Sequence, residues 1–194
     1  MWPLIIGAVS QANKPILELG QEYQGGVIAY FWQEGEYGYV AGEQHGIIMA
    51  KDNIGKRFGD RYADTGIPDL FDDFGEGRNN TQKIVDFHTY FAGHVVARDI
   101  IALNIDGYND WFIPTLKDYE KVHPNMEFLF TKTNWTVFAI GSGFVSRYWL
   151  SWLVYKSSTN SLVRSVLLNL DWTFTSIAYY PTSSPIYTIP FRYF

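Results

Sequence analysis

Four histidines and a group of carboxylates are the residues best equipped for chemistry, and their spacing is what decides whether they perform any. His88 and His94 fall on one predicted helix. Six steps of roughly 100° set their side chains about 120° apart, unlike the i,i+4 pair that holds zinc on a protease helix, so the two do not share an ion. His45 stands just before an apolar run, where an imidazole can serve as a strand-end hydrogen-bonding group or as a general base. Asp69, Asp72, Asp73 and Glu76 are the densest acidic group. Carboxylates among glycine turns can supply the oxygen shell of Ca²⁺, but the spacing matches no EF-hand loop and a solvated acidic loop is the plain alternative. No motif marks an acid and a nucleophile for glycoside hydrolysis, and Ser142, Ser151 and Ser165 lack a nucleophile-elbow context. The absence of cysteine removes thiolate nucleophiles, Cys-ligated zinc and iron–sulfur clusters together. The reading is therefore of a non-enzymatic chain with no cofactor and no assigned metal site.

Aromatic side chains are the remaining chemical resource, at 18% of the sequence. Trp152, Tyr155, Trp172, Tyr179 and Tyr180 lie in predicted terminal strands, where alternation sends some side chains outward. Rings on such a face can grip sugars or protein epitopes, and these five are the candidate ligand-binding residues. Core packing is the alternative for any one of them. A net charge of −5 with only 15 scattered Lys and Arg residues leaves no basic surface to neutralise phosphates, which excludes nucleic acid as the expected partner.

The elements that must position these residues read as one α+β domain. From Gly26 to Gln33 both alternating faces are apolar, as in a strand covered on two sides, and Gly35, Gly38 and Gly42 then mark a turn-rich link to a second apolar run at Gly46–Ala50. Lys51 to Asn80 reads as a long ordered loop. Asn80 is placed to cap a helix from Thr81 to about Ala102, whose Ile84, Phe87, Phe91 and Val95 share one face. Pro114 turns the chain into a second helix capped by Thr115, with Asp118 at the acid position of a capping box. Beyond Thr131, the runs Trp135–Ile140, Arg147–Tyr155, Leu162–Leu170, Trp172–Tyr180 and Tyr187–Phe194 predict a meander of antiparallel strands.

Several blocks carry a family resemblance. Asp106-Gly-Tyr-Asn-Asp-Trp-Phe-Ile-Pro-Thr115 and Tyr148-Trp149-Leu-Ser151 resemble the Gly-Tyr-Ser-Asp-Trp-Tyr-Leu-Pro-Ser and Tyr-Trp-Ser-Ser blocks of the DUF1566 family, also called the Lcl C-terminal domain. Tyr23-Gln-Gly-Gly-Val-Ile-Ala-Tyr30, Glu43-Gln-His-Gly-Ile-Ile-Met-Ala50, Gly75-Glu-Gly-Arg-Asn-Asn-Thr81 and Tyr187-Thr-Ile-Pro-Phe-Arg192 follow in the family's order. Leu150, Trp152 and Ile189 depart from its pattern. The resemblance implies a bacterial or phage surface module of C-type-lectin-like fold, with two helices, a strand-rich C-terminal half and termini that approach one another. Within it, Asp110, Trp111, Pro114, Tyr148 and Trp149 form a structural signature, and Trp111 is expected in the core.

The matched region gives a domain over residues 21–194, preceded by an arm over 1–20. Trp2, Leu4, Ile5, Ile6 and Val9 make that arm apolar, while Pro3 and Pro15 disfavour a continuous helix. It is far shorter than the roughly 20 apolar residues of a membrane span and lacks a basic leader region. The arm either folds back on its own domain or docks on other virion or surface-assembly proteins, with a homo-oligomer as the expected state. The functional expectation is an adhesion or receptor-binding module on a phage virion or bacterial surface, recognising a host glycan or protein. A structural virion protein making capsid or tail contacts is the alternative, and a carbohydrate-active enzyme the third.

Overall fold

The two apolar runs expected inside the fold pair with each other antiparallel, Val27 opposite Met49 and Ile28 opposite Ile48. The computed structural model describes residues 15–57, 70–87, 95–134, 144–156, 161–169, 174–181 and 185–194. For 56–57, 144–156, 161–169, 174–181 and 185–186 it describes the backbone only. The strands in chain order are β1 Glu22–Tyr23, β2 Gly26–Phe31, β3 Gly46–Ala50, β4 Ile54–Arg57, β5 Phe144–Lys156, β6 Ser161–Asn169, β7 Phe174–Pro181, β8 Pro185–Thr188 and β9 Phe191–Tyr193. The helices are α1 Glu76–Phe87, α2 Val96–Ile101, α3 Leu116–Val122 and α4 Met126–Phe130, with a 3-10 turn at His123–Asn125.

The first sheet runs β1-β2-β3-β9 and is antiparallel throughout. Because successive strand residues face opposite sides, its two apolar strands supply two cores. Val27, Ala29, Ile47 and Met49 pack with Phe112, Tyr119, Val122, Met126 and Leu129. Ile28, Ile48 and Ala50 pack with Ile84, Val96, Ile100, Trp111 and Ile113. Helices α3 and α4 thus cover one face, while α1 and α2 cover the other. Each fully buried aliphatic or aromatic side chain contributes about 1.5–3 kcal/mol before ordering costs.

The first predicted helix begins and breaks where the sequence did not place it. Helix α1 starts at Glu76, so Asn80 is inside it rather than at its cap. Asn80 is fully buried; its side chain accepts from Phe71 N at 3.1 Å and donates to Phe71 O at 2.6 Å, which straps the preceding segment to the helix. The expected single helix to Ala102 is interrupted, since Val95 is extended at φ −104° and ψ 131° immediately before α2. The second predicted helix begins as expected, with Thr115 and Asp118 exchanging both capping-box bonds. It is then divided by the turn carrying Pro124, whose missing N–H cannot continue an α-helical ladder. Among the described residues, four short α-helices therefore stand in place of two.

The second sheet has the order β4-β8-β5-β6-β7. The antiparallel β5, β6 and β7 form the expected meander. Strand β4 lies in the stretch read as loop and pairs with β8. The run Tyr187–Phe194, predicted as one strand of the meander, is instead divided: β8 touches β5 in parallel at Tyr148 and Tyr187, and β9 joins β3 in the first sheet. Pro190 has no N–H for a continuous ladder, which suits the change of sheet between them. The architecture is α+β with mainly antiparallel strands. The predicted strand Trp135–Ile140 lies outside the described residues.

Residues 17–20, placed in the arm by sequence, are tied to the domain. Leu17 exchanges two hydrogen bonds with the Gln44 side chain at 2.8 and 2.9 Å, and Gly20 N donates to Ile28 O at 2.7 Å. Trp2, Leu4, Ile5, Ile6 and Val9 lie outside the described residues. Among the described residues no helix is long and apolar enough to cross a membrane.

Candidate functional site

The signature segment threads between the two cores. Trp111 and Phe112 are each 1% exposed and enter opposite ones, and Phe112 pairs its backbone with Phe191. Trp111 satisfies its indole N–H on Tyr108 O at 3.0 Å. Asp110 receives a two-pronged bond from Arg192, Nε to Oδ1 at 2.6 Å and Nη2 to Oδ2 at 3.2 Å. The guanidinium also donates to Gln24 and lies over the Tyr108 ring at 4.4 Å. A planar fork between a carboxylate and an aromatic face is the arrangement arginine suits best, and here it locks β9 to the signature.

A second polar knot joins α3 to β9. Asp118 is fully buried and accepts from Thr115 N and Thr115 Oγ1, both at 3.0 Å, and from Tyr193 Oη at 2.5 Å. Burial pushes its carboxyl up to about 6, against the lowering effect of those three donors, and the nearby Asp72 adds to the rise. Burial and the facing Asp118 raise the Tyr193 phenol as well. Tyr193 Oη in turn accepts from Gly75 N at 3.1 Å. Gly75 has φ +84°, and a Cβ there would lie 2.5 Å from Tyr37 Oη, so only glycine permits this approach.

That contact brings the β2–β3 connection against the segment before α1 and builds an aromatic surface. Trp32 is buried at its base, in edge contact with Tyr30, Tyr37 and Phe74. Tyr37 is 47% exposed and lies alongside Phe74, ring centres 6.2 Å apart and planes 25° apart. Tyr39 and Val40, on the same connection, are also exposed. Paired charges border the rings. Lys117 Nζ meets Asp73 Oδ1 at 3.0 Å and sits 6.0 Å from the centre of the Phe74 ring. Lys121 bonds Glu36, which also accepts from Tyr30 Oη and Gln33 N. Burial alone would raise Glu36, but these bonds hold it below its ordinary value; burial and Glu36 push the Tyr30 phenol up to about 12. Lys117 and the Phe74 N–H lower the Asp73 carboxyl.

The acidic group proposed as calcium ligands is divided among separate tasks. Asp72 accepts from Leu116 N at 2.7 Å, Asp73 bonds Lys117 and Phe74 N, and Glu76 accepts from Asn79. Asp69 lies outside the described residues. Among the described residues no group of three or more His, Asp or Glu side chains could hold a metal ion. His45 takes the strand-end role, bridging Phe194 O at 3.1 Å and Glu43 at 3.0 Å, and His88 and His94 lie outside the described residues.

The candidate ligand-binding residues of the terminal strands are placed by backbone only. Tyr155 stands opposite Leu162, Tyr179 opposite Arg164 and Tyr180 opposite Val163. Trp152 falls within the irregular stretch of β5 between Trp149 and Leu153, and Trp172 lies outside the described residues. The aromatic surface at Tyr37, Tyr39 and Phe74 was not singled out from sequence, although a signal was present: aromatic residues set among Gly35, Gly38 and Gly42 sit on turns, which the protein surface tends to carry. A polar cleft of about 350 Å³ opens elsewhere, lined by Glu22, Gln24, Lys51, Asp52, Asp106 and Asn134 among others. Its Lys51 is raised by the bond from Nζ to Glu22 at 2.7 Å. No protein-family model and no curated protein matches the chain.

Proposed function

We propose that the chain is a non-enzymatic adhesion or receptor-binding module, carried on a phage virion or bacterial surface and of the DUF1566, C-type-lectin-like kind. The observation that carries this reading is the aromatic surface at Tyr37, with Tyr39 and Val40 also turned to water beside it. Large rings held at the surface by buried neighbours form a pre-organised contact for a ligand. The resemblance supplies the type of module. Its signature residues Asp110 and Trp111 are engaged in scaffold contacts, which leaves recognition to the loops. Tyr23 packs on Phe194 with ring centres 5.6 Å apart, which supports the approach of the termini that the resemblance implies.

Residues 1–20 serve in this reading as the assembly arm, through Trp2, Leu4, Ile5, Ile6 and Val9, toward other virion or surface proteins, or toward further copies. Labelled chain should bind intact bacterial cells, and Tyr39→Ala should weaken that binding without lowering the melting temperature. A folded chain that binds no cell yet enters particles through residues 1–20 is a structural virion protein instead.

A further inference from the structure

We infer that the free chain shelters the apolar part of its own arm, Trp2 to Val9, in the groove that opens beside Phe194, and that assembly draws it out. This rests on the reading of residues 1–20 as an assembly arm. The groove has a volume of about 550 Å³, with Ile16, Leu17, Tyr23 and Phe194 among its apolar walls and Glu43 and His45 among its polar ones. Its walls are held by the fold. Tyr23 meets Phe194 edge-on at 5.6 Å, Leu17 exchanges two backbone bonds with the Gln44 side chain at 2.8 and 2.9 Å, and His45 bonds Phe194 O at 3.1 Å. A surface held in this way needs little reorganisation to receive a partner. Ile16 is 83% exposed beside it, an aliphatic side chain left in water.

The chain itself supplies the occupant. Pro15 and Ile16 both line the groove, so residues 1–14 adjoin the fold at its edge. The link from Ser10 to Lys14 matches the length of a hairpin loop, about 2–5 residues, and covers at most about 17 Å when extended. Trp2 to Val9 are thereby returned to the same groove. So short a tether sets a local concentration on the order of millimolar, against which a second copy in micromolar solution competes poorly. Charge agrees with this choice. Lys14 is the only charged side chain of residues 1–14, whereas Glu43 lines the groove, Glu18 follows Leu17 and the whole chain carries −5. Inside an assembly the neighbours are also held close, which removes the tether's advantage and lets the arm change hosts.

The test uses the full chain, which has no cysteine of its own. Glu43→Cys is combined in turn with Leu4→Cys, Ile5→Cys and Ile6→Cys, so that each protein can form a single disulfide. Mild oxidation at micromolar concentration should cross-link at least one pairing within one chain, seen as a faster monomer band on a non-reducing gel. The same arm position should react about tenfold more slowly with Glu34→Cys, an exposed residue of the β2–β3 connection outside the groove. In the otherwise unaltered chain, Ile16→Glu should speed chymotryptic cleavage after Leu4 about tenfold at an unchanged melting temperature. A cross-link between two chains gives the groove to a second copy and overturns self-docking. Equal rates at Glu43→Cys and Glu34→Cys, no cross-link in any pairing, or cleavage indifferent to Ile16→Glu overturns docking altogether. Entry of a Leu4→Asp, Ile6→Asp chain into oligomers or particles is read in parallel. Lost entry without any cross-link overturns the docking and leaves the assembly reading standing. Intact entry beside an intrachain cross-link supports the docking and removes the assembly reading.

Discussion

Asp110 and Asp73 are both carboxylates beside a cation and an aromatic ring, yet the two regions use the combination oppositely. At the signature, the Arg192 side chain is 7% exposed and its fork is fully engaged by Asp110 and Gln24. At the aromatic surface, the Lys117–Asp73 pair stands in water. Breaking a desolvated pair leaves a charge with neither partner nor solvent, whereas an exposed pair can exchange its partner for water at little cost. The signature thus holds the fold, whereas the exposed loop pair adds little to it.

The most severe way to break this contrast is Trp111→Ala, which should cost about 3–5 kcal/mol in denaturant unfolding. An unchanged unfolding midpoint would remove the signature from the core. Asp118→Asn comes next. The folded carboxyl, raised from 3.8 to about 6, binds its proton more tightly than the unfolded one. Its stabilising effect is therefore full below about pH 4 and is lost as pH rises through about 6. Measured by urea unfolding, wild type should gain on the order of 3 kcal/mol relative to Asp118→Asn between pH 7 and pH 4. The opposite slope would mean that the three donors outweigh burial.

A double-mutant cycle sharpens the comparison directly. Coupling between Arg192→Met and Asp110→Asn should be about 2 kcal/mol, reduced from a fully buried pair because Asp110 is 30% exposed. The same cycle on Lys117→Ala and Asp73→Asn should give almost no coupling, because both side chains stand in water. Equal couplings would erase the distinction between the regions. Smallest of all, Tyr39→Ala should change stability by no more than about 0.5 kcal/mol, its effect being confined to cell binding.

What was legible in the sequence depended on short-range grammar. The capping box needs only the three-residue step from Thr115 to Asp118, and the doubly apolar runs at Val27 and Ile47 announce strands covered on both faces. Partners far apart in the chain left no such mark. Asn80 has the ordinary look of a helix cap, and only the tertiary position of Phe71 makes it an interior strap. Strand β4 contains Gly55 and two charged residues, and its strand character comes from pairing with β8. Likewise, Arg192 finds Asp110 across 82 positions, a pairing no local pattern encodes. The aromatic surface was missed for the same reason, because Tyr37 and Phe74 meet only after both segments close around Gly75.

The placement of β9 beside β3 has a temporal consequence. Met49 waits for Phe191, and His45 bonds Phe194, 149 positions later. During synthesis the hydrogen-bonding edge of β3 stays bare until nearly all of these residues have been made, and closure of so long a loop is entropically slow. A fragment ending before Phe191 would carry that apolar edge permanently, inviting another copy to supply the missing strand. Ribosome-stalled chains of increasing length should therefore remain sensitive to protease until β9 has emerged, and then become protected in a single step.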